Sequence, residues 1–168
     1  MHINRIAVVG AAAATMIASG AGFALASSST PQRPAASGTE HFSLMSTQPS
    51  ASKYVMIASG VFTASGTDTS GNNVDTVKLT GGTFKINHNF PPQHLKENLN
   101  QKTCLETFSL TSKFTLEDGT GKYKGISGSG SARISALAIA RRSAGKCNPN
   151  ANPTVSEQTI IATAHVHL

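Results

Sequence analysis

From Glu40 onward the chain alternates apolar and polar residues with a period of two, the spacing that sends successive side chains to opposite faces of a strand. Phe42, Leu44 and Ser46 share one face and His41, Ser43 and Met45 the other, which predicts a first strand. Tyr54 to Thr67 reads as the second and longest, with Tyr54, Met56, Ala58, Gly60, Phe62 and Ala64 on one side and Val55, Ile57, Ser59, Val61 and Thr63 on the other. Both sides are apolar at its start, which predicts cover on both faces there. Asp68 to Asn73 holds the turn signal Ser70-Gly71-Asn72-Asn73, and Asp75 to Thr80 then pairs through Gly81-Gly82 with Thr83 to His88 as a tight hairpin. Pro91-Pro92 stops the ladder, and Gln93 to Leu99 is expected to form one or two helical turns over a barrel end. Strand patterning returns at Cys104, with Phe108, Leu110, Phe114 and Leu116 in phase. Ser131 to Ala140 continues it, Arg141 to Pro153 is a Pro/Asn/Gly-rich loop, and Thr154 to Leu168 closes the chain as a strand.

The stretch that organises this series is Leu116 to Ala132, which carries five of the fifteen glycines in seventeen residues. Glu117-Asp118-Gly119-Thr120-Gly121 lies between two alternating segments and reads as a turn in which glycine supplies positive φ. Gly125-Ile126-Ser127-Gly128-Ser129-Gly130 still alternates but lacks bulk, as expected where a strand bends or another backbone approaches closely. A phosphate-binding loop needs a Gly-Lys-Ser/Thr ending that opens a helix, whereas Lys122 runs into Tyr123-Lys124 and more strand. Short turns, almost no helical periodicity and no parallel crossovers predict an all-β fold, an antiparallel closed barrel of about eight strands with little helix. Ser-Gly pairs inside long strands, at Ser59-Gly60 and Ser127-Gly128, supply the bends that closure requires. The interior of such a barrel is filled by side chains or holds one small ligand.

Composition adds a compartment. Arg5 precedes an apolar or small stretch from Ile6 to Leu25, and Ala24-Leu25-Ala26 is a small-x-small cleavage signature, so residues 1–26 read as a secretory signal peptide cut after Ala26. Its Ala and Gly content, and the polar Pro-containing stretch that follows, argue against a membrane anchor. Residues 27–39 are too poor in bulk to repay their ordering entropy and are expected to be a disordered linker, leaving 40–168 as one barrel domain. Thirteen Lys and Arg against eight Asp and Glu beyond the leader leave a formal charge of +5. That charge permits weak attraction to anionic cell-surface polymers. Without tryptophan, and with the basic residues scattered apart from Arg141-Arg142 and Lys146, no platform for specific nucleic-acid binding is apparent. In an oxidising compartment, Cys104 and Cys147 are most simply one disulfide. A metal-binding pair or a catalytic thiol is the lesser alternative, since neither has His or Cys at ligand spacing.

Gly119-Thr120-Gly121-Lys122-Tyr123-Lys124-Gly125-Ile126-Ser127-Gly128-Ser129-Gly130 resembles the glycine element of the allene oxide cyclase-like and dirigent-like barrels, particularly secreted bacterial members. Gly82-Thr83-Phe84 followed by His88, and the spaced pair Cys104 and Cys147, are similar to that group too. The resemblance spans roughly Phe42 to Leu168. It implies the barrel and, as one possibility, a cyclase or isomerase; it transfers no functional residue.

Candidate chemistry is sparse. His88 follows Phe84 and Ile86 in phase, and Glu106 sits in phase between Cys104 and Phe108; on lumen-facing strands both would meet a ligand near a barrel mouth, where a desolvated carboxylate is raised toward acid/base work. His165 and His167 share a strand face about 7 Å apart, with His41 a conceivable third metal ligand. Local spacing fixes no third ligand, so exposed histidines and no metal are expected. No Ser lies in a Gly-x-Ser-x-Gly elbow, and Gly128-Ser129-Gly130 lacks the strand-to-helix context. The expectation is a secreted, extracellular binding or structural module without cofactor, its barrel carrying a small apolar ligand and its processed chain spanning no membrane. The alternative is a cyclase or isomerase in which Glu106 or His88 stabilises charge on a reactive apolar intermediate.

Overall fold

The computed structural model describes residues 36–47, 52–88, 91 and 93–168. The predicted leader over 1–26, its cleavage point at Ala26 and the linker as far as 35 lie outside the described residues. The strands are β1 (Ser37–Ser46), β2 (Lys53–Ser59), β3 (Ala64–Thr69), β4 (Val74–Leu79), β5 (Gly82–Asn87), β6 (Gln93–Leu99), β7 (Leu105–Glu117), β8 (Ser127–Ile139), β9 (Arg141–Ser143), β10 (Lys146–Asn148) and β11 (Val155–His167). They pair antiparallel in the order β5-β4-β3-β2-β1-β11-β8-β7-β6, and β5 also pairs with β7. That last ladder, Lys85 opposite Glu117 to Asn87 opposite Thr115, closes β1 to β5, β7, β8 and β11 into an eight-stranded antiparallel barrel. The fold class is the one the alternation predicts.

Strand length divides the barrel from what projects beyond it. β7, β8 and β11 have thirteen residues each, about twice the length of β3, β4 and β5. Only the last part of β7 meets β5; its first part pairs with β6, so β6, β7, β8 and β11 continue as a wall past the barrel end where β2 and β4 begin.

Three expectations are corrected. Tyr54 to Thr67 is two strands: the chain turns back between Ser59 and Ala64, and Val61 and Phe62 pack onto the core from the barrel end. The turn is built by Gly60, at φ +145°, where any Cβ would collide with the Thr39 carbonyl oxygen, and by Glu40, whose Oε2 accepts the Phe62 N–H at 3.0 Å. Gln93 to Leu99 is strand and not helix. Pairing with β7 overrides the helix-forming residues in QHLKENL, and the register shift between Gln93 and Lys96, with His94 at φ 54°, marks a bulge. β1 begins at Ser37, three residues inside the predicted linker, because Ser37 to Thr39 find partners in His167 to His165. Within the predicted 141–153 loop, β9 and β10 form a short hairpin.

The core occupies the end opposite the wall. Phe42 lies with its ring centroid 6.3 Å from Phe84 and 6.4 Å from both Phe62 and Phe114, and Tyr123 packs 5.0 Å from Phe62. The glycine element seals this end. After Asp118 a 3-10 turn, Gly121–Tyr123, brings the Lys122 N–H to the Gly81 carbonyl at 2.9 Å and the Tyr123 hydroxyl to the Thr80 carbonyl at 3.0 Å. Gly121 sits at φ +58° with its Cα against the Gly81 carbonyl, where a Cβ has no room, so this glycine is architectural.

Candidate functional site

At the opposite end the lumen opens. Starts and ends of short strands meet the middles of long ones there: Tyr54 is the second residue of β2, Asp68 the last but one of β3 and Asp75 the second of β4, His88 follows β5, and Ser112, Ile134 and Gln158 come from β7, β8 and β11. Together with Phe42, Leu44, Ile86, Phe114, Ala132, Ile160 and Ala162 they line a chamber of about 150 Å³. Cavities of about this volume take a benzene-sized guest. One wall is aliphatic and aromatic, and the other carries the polar groups.

The polar wall is set by register. Asp68 lies opposite Tyr54 across β2 and β3 and opposite Val77 across β3 and β4, so all three turn to the lumen side. The Tyr54 hydroxyl donates to Gln158 Oε1 at 3.0 Å. Asp75 Oδ1 accepts the Gly71 N–H and His88 Nε2, each at 2.9 Å. Asp68 is 1% exposed, and its Oδ1 has no hydrogen-bond partner among the described residues. Burial, with repulsion from Asp75, pushes its carboxyl from 3.8 up to about 7, against the opposing backbone hydrogen bond of Thr69. Burial, followed by the Asp68 and Asp75 charges, also raises the Tyr54 phenol. A carboxyl that titrates near neutrality beside a His–Asp pair can hold or pass one proton, and as an ion it offers a negative pole to a bound molecule.

Of the two lumen candidates read from the sequence, His88 lines this chamber and Glu106 does not. Glu106 faces Leu99 and Ala138 in the wall beyond the mouth, so the two are not brought together. His165 and His167 lie exposed on the outer face of β11 with ring centroids 4.9 Å apart. His165 Nε2 meets Ser37 Oγ at 3.3 Å, and the Thr163 hydroxyl meets His41 Nδ1 at 3.3 Å. Among the described residues no three His, Cys, Asp or Glu side chains converge as a metal-binding group.

Cys104 and Cys147 are disulfide-bonded with their Cα atoms 5.3 Å apart. The bond ties the β9–β10 hairpin to the approach of β7, under Ala140 and Leu99. Arg141 Nε donates to the Asn152 carbonyl at 2.9 Å and Arg142 to the Lys102 carbonyl, so both arginines of the basic cluster brace this loop.

Sequence reading missed Asp68, Asp75, Tyr54 and Gln158 as a group, and also Glu40, which is fully buried near the sealed end. The Glu40 carboxyl is raised by burial, an effect opposed by the Phe62 and Val61 N–H groups and by His41. A signal existed for it: Glu40 stands two residues before Phe42 in the inward phase. No family model matches the chain, and neither a curated protein nor a solved structure is significantly similar to it.

Proposed function

We propose that this is a secreted β-barrel protein that binds a small molecule with an apolar body in the chamber at the open end of its lumen. The observation that carries the reading is the coincidence, in one chamber, of an aliphatic and aromatic wall with a buried carboxylate that has one oxygen unpartnered among the described residues, the combination of an apolar container and few convergent polar groups typical of ligand sites. The chamber's size limits the enclosed part of the ligand to about one ring. Export after cleavage at Ala26 agrees with the disulfide, which belongs to an oxidising compartment. Kinship with allene oxide cyclase-like and dirigent-like barrels is part of the proposal and rests on the glycine element. Weak attraction to anionic surface polymers follows from the positive charge.

A second reading, isomerase or cyclase chemistry on a reactive apolar intermediate, is favoured by one observation: Asp68 titrates near 7 within reach of the same space as His88. In that reading Asp68 takes the acid/base part, with His88 and Asp75 as the neighbouring pair, and Glu106 takes none. Native mass spectrometry of the secreted protein, with organic extraction, separates the readings. A co-purifying apolar molecule recovered unchanged supports carriage. Conversion of added substrate that is lost in Asp68→Asn supports catalysis, and an empty protein that takes up no ring-sized probe contradicts both.

A further inference from the structure

The polar wall of the chamber also bears on the head group of its occupant. Of its two carboxylates, Asp75 is engaged, since its Oδ1 accepts both the Gly71 N–H and His88 Nε2. Asp68 is engaged only in part, by the Thr69 N–H: it is 1% exposed, and among the described residues the buried side-chain oxygens without a partner are its Oδ1 and Glu40 Oε1. Glu40 belongs to the sealed end, under the turn of Phe62, and is absent from the chamber lining. Two donors on the chamber wall are directed to other acceptors, the Tyr54 hydroxyl to Gln158 and His88 to Asp75. Lys113, on the exposed rim, forms no ion pair with Asp68. A buried acceptor without a donor is destabilising, and more so when charged. A ligand that brought a donor to it would recover that cost on binding.

We propose that the chamber takes a small primary amine, its ammonium group donating to Asp68 Oδ1 and its apolar body packed among Ile86, Phe114, Ile134 and Ile160. The inference rests on the reading of this chamber as a ligand site and adds the charge of the head group to it. Two carboxylates on one wall repel each other and any anionic ligand; a cation relieves that repulsion as well as meeting the open acceptor, which a neutral hydroxyl does only in part. The titratable groups that line the chamber together with Asp68 are Tyr54 from β2, Asp75 from β4, His88 beyond β5 and Lys113 from β7. Because burial holds Asp68 protonated to about 7, amine binding strengthens as pH rises through that value, while the amine itself stays charged.

The test is a titration of the intact secreted protein at about pH 8 with four probes of one size, benzylamine, benzyl alcohol, toluene and benzoate, followed by calorimetry and by NMR. The expected result is benzylamine binding about tenfold or more tighter than benzyl alcohol, a margin typical of charge-assisted hydrogen bonds, with benzoate weakest. Asp68→Asn should erase the amine's advantage while leaving benzyl alcohol bound. Equal or weaker binding of the amine, or an advantage that survives Asp68→Asn, overturns the amine inference and leaves the chamber as a ligand site. Binding of none of the four overturns both.

Discussion

Asp68→Asn should make the protein more stable, by an amount that grows as pH rises from about 4 to about 7. The native carboxyl is held at about 7 against 3.8 for the free group, chiefly by burial. Between those two values the folded protein retains a proton that the unfolded chain has released, so the wild type loses stability as pH rises across the window. The full displacement corresponds to at most about 4 kcal/mol, at 1.36 kcal/mol per tenfold change in proton affinity. Water entry and relaxation around the chamber reduce it, so a difference of about 2–3 kcal/mol is expected. Asparagine keeps the shape and an acceptor for the Thr69 N–H but carries no charge to desolvate. Urea unfolding followed by circular dichroism, run on both proteins at several pH values, isolates the effect because all other titrations cancel in the difference. The two should match near about pH 4 and separate to their full extent above about pH 7.5. A variant less stable at every pH, or a difference that does not vary with pH, would refute the assignment of Asp68 as a buried, strained carboxylate.

The remaining predictions concern the frame and the compartment. Reducing Cys104–Cys147, or replacing both by Ser, should cost about 2–4 kcal/mol by freeing a loop of 43-residue separation, read as a lower melting temperature with and without reductant; an unchanged melt would show the hairpin held by its arginines alone. Gly121→Ala should cost more than about 2 kcal/mol, since it combines a left-handed φ with collision against the Gly81 carbonyl, whereas Gly125→Ala, at φ +86° with open space around it, should cost only about 1–2 kcal/mol. Equal losses in urea unfolding would remove the collision from the account. Intact mass of protein from the culture medium should correspond to a chain beginning at Ser27, and a cell-bound species retaining Met1 to Ala26 would contradict secretion.

A buried carboxylate that costs stability at working pH is the kind of local conflict that function retains. His88 and Asp75 do not explain it, since they satisfy each other. Its position on the lining of the apolar-walled chamber at the open end gives it a use.

The barrel was legible because its core-facing residues are bulky and strictly alternate: Phe42 and Leu44, Tyr54 and Met56, Val77 and Leu79, Phe114 and Leu116 all lie where the period puts them. The break at Gly60 was hidden because Phe62 and Ala64 stay in phase across it, although the chain reverses there. β6 was hidden because its residues favour helix and only its pairing with β7 makes it strand. Asp68 follows Ala64 and Gly66 in the inward phase, but the adjoining Ser70-Gly71-Asn72-Asn73 turn signal drew it into the loop. Glu106 shows the converse. It keeps the inward phase, but periodicity does not say where a barrel ends, and β7 leaves the closed part of the sheet after Thr115 in the direction of its own N-terminus. Convergence of Tyr54, Asp68, Asp75 and Gln158 depends on ladders that join distant segments, Ser46 opposite Gln158 among them, which no local pattern records.

The central claim, that the open end of the lumen is a ligand site, is tested most directly by two-dimensional NMR of the isotope-labelled protein against a library of ring-sized fragments. The account predicts binders whose shift changes centre on Ile86, His88, Ile134 and Ile160, and which are lost in Ile160→Trp, where the indole fills the chamber while the spectrum elsewhere stays folded. Fragments that bind only the outer face around Met45, Val55 and Ile57, or that still bind after the chamber is filled, would contradict it.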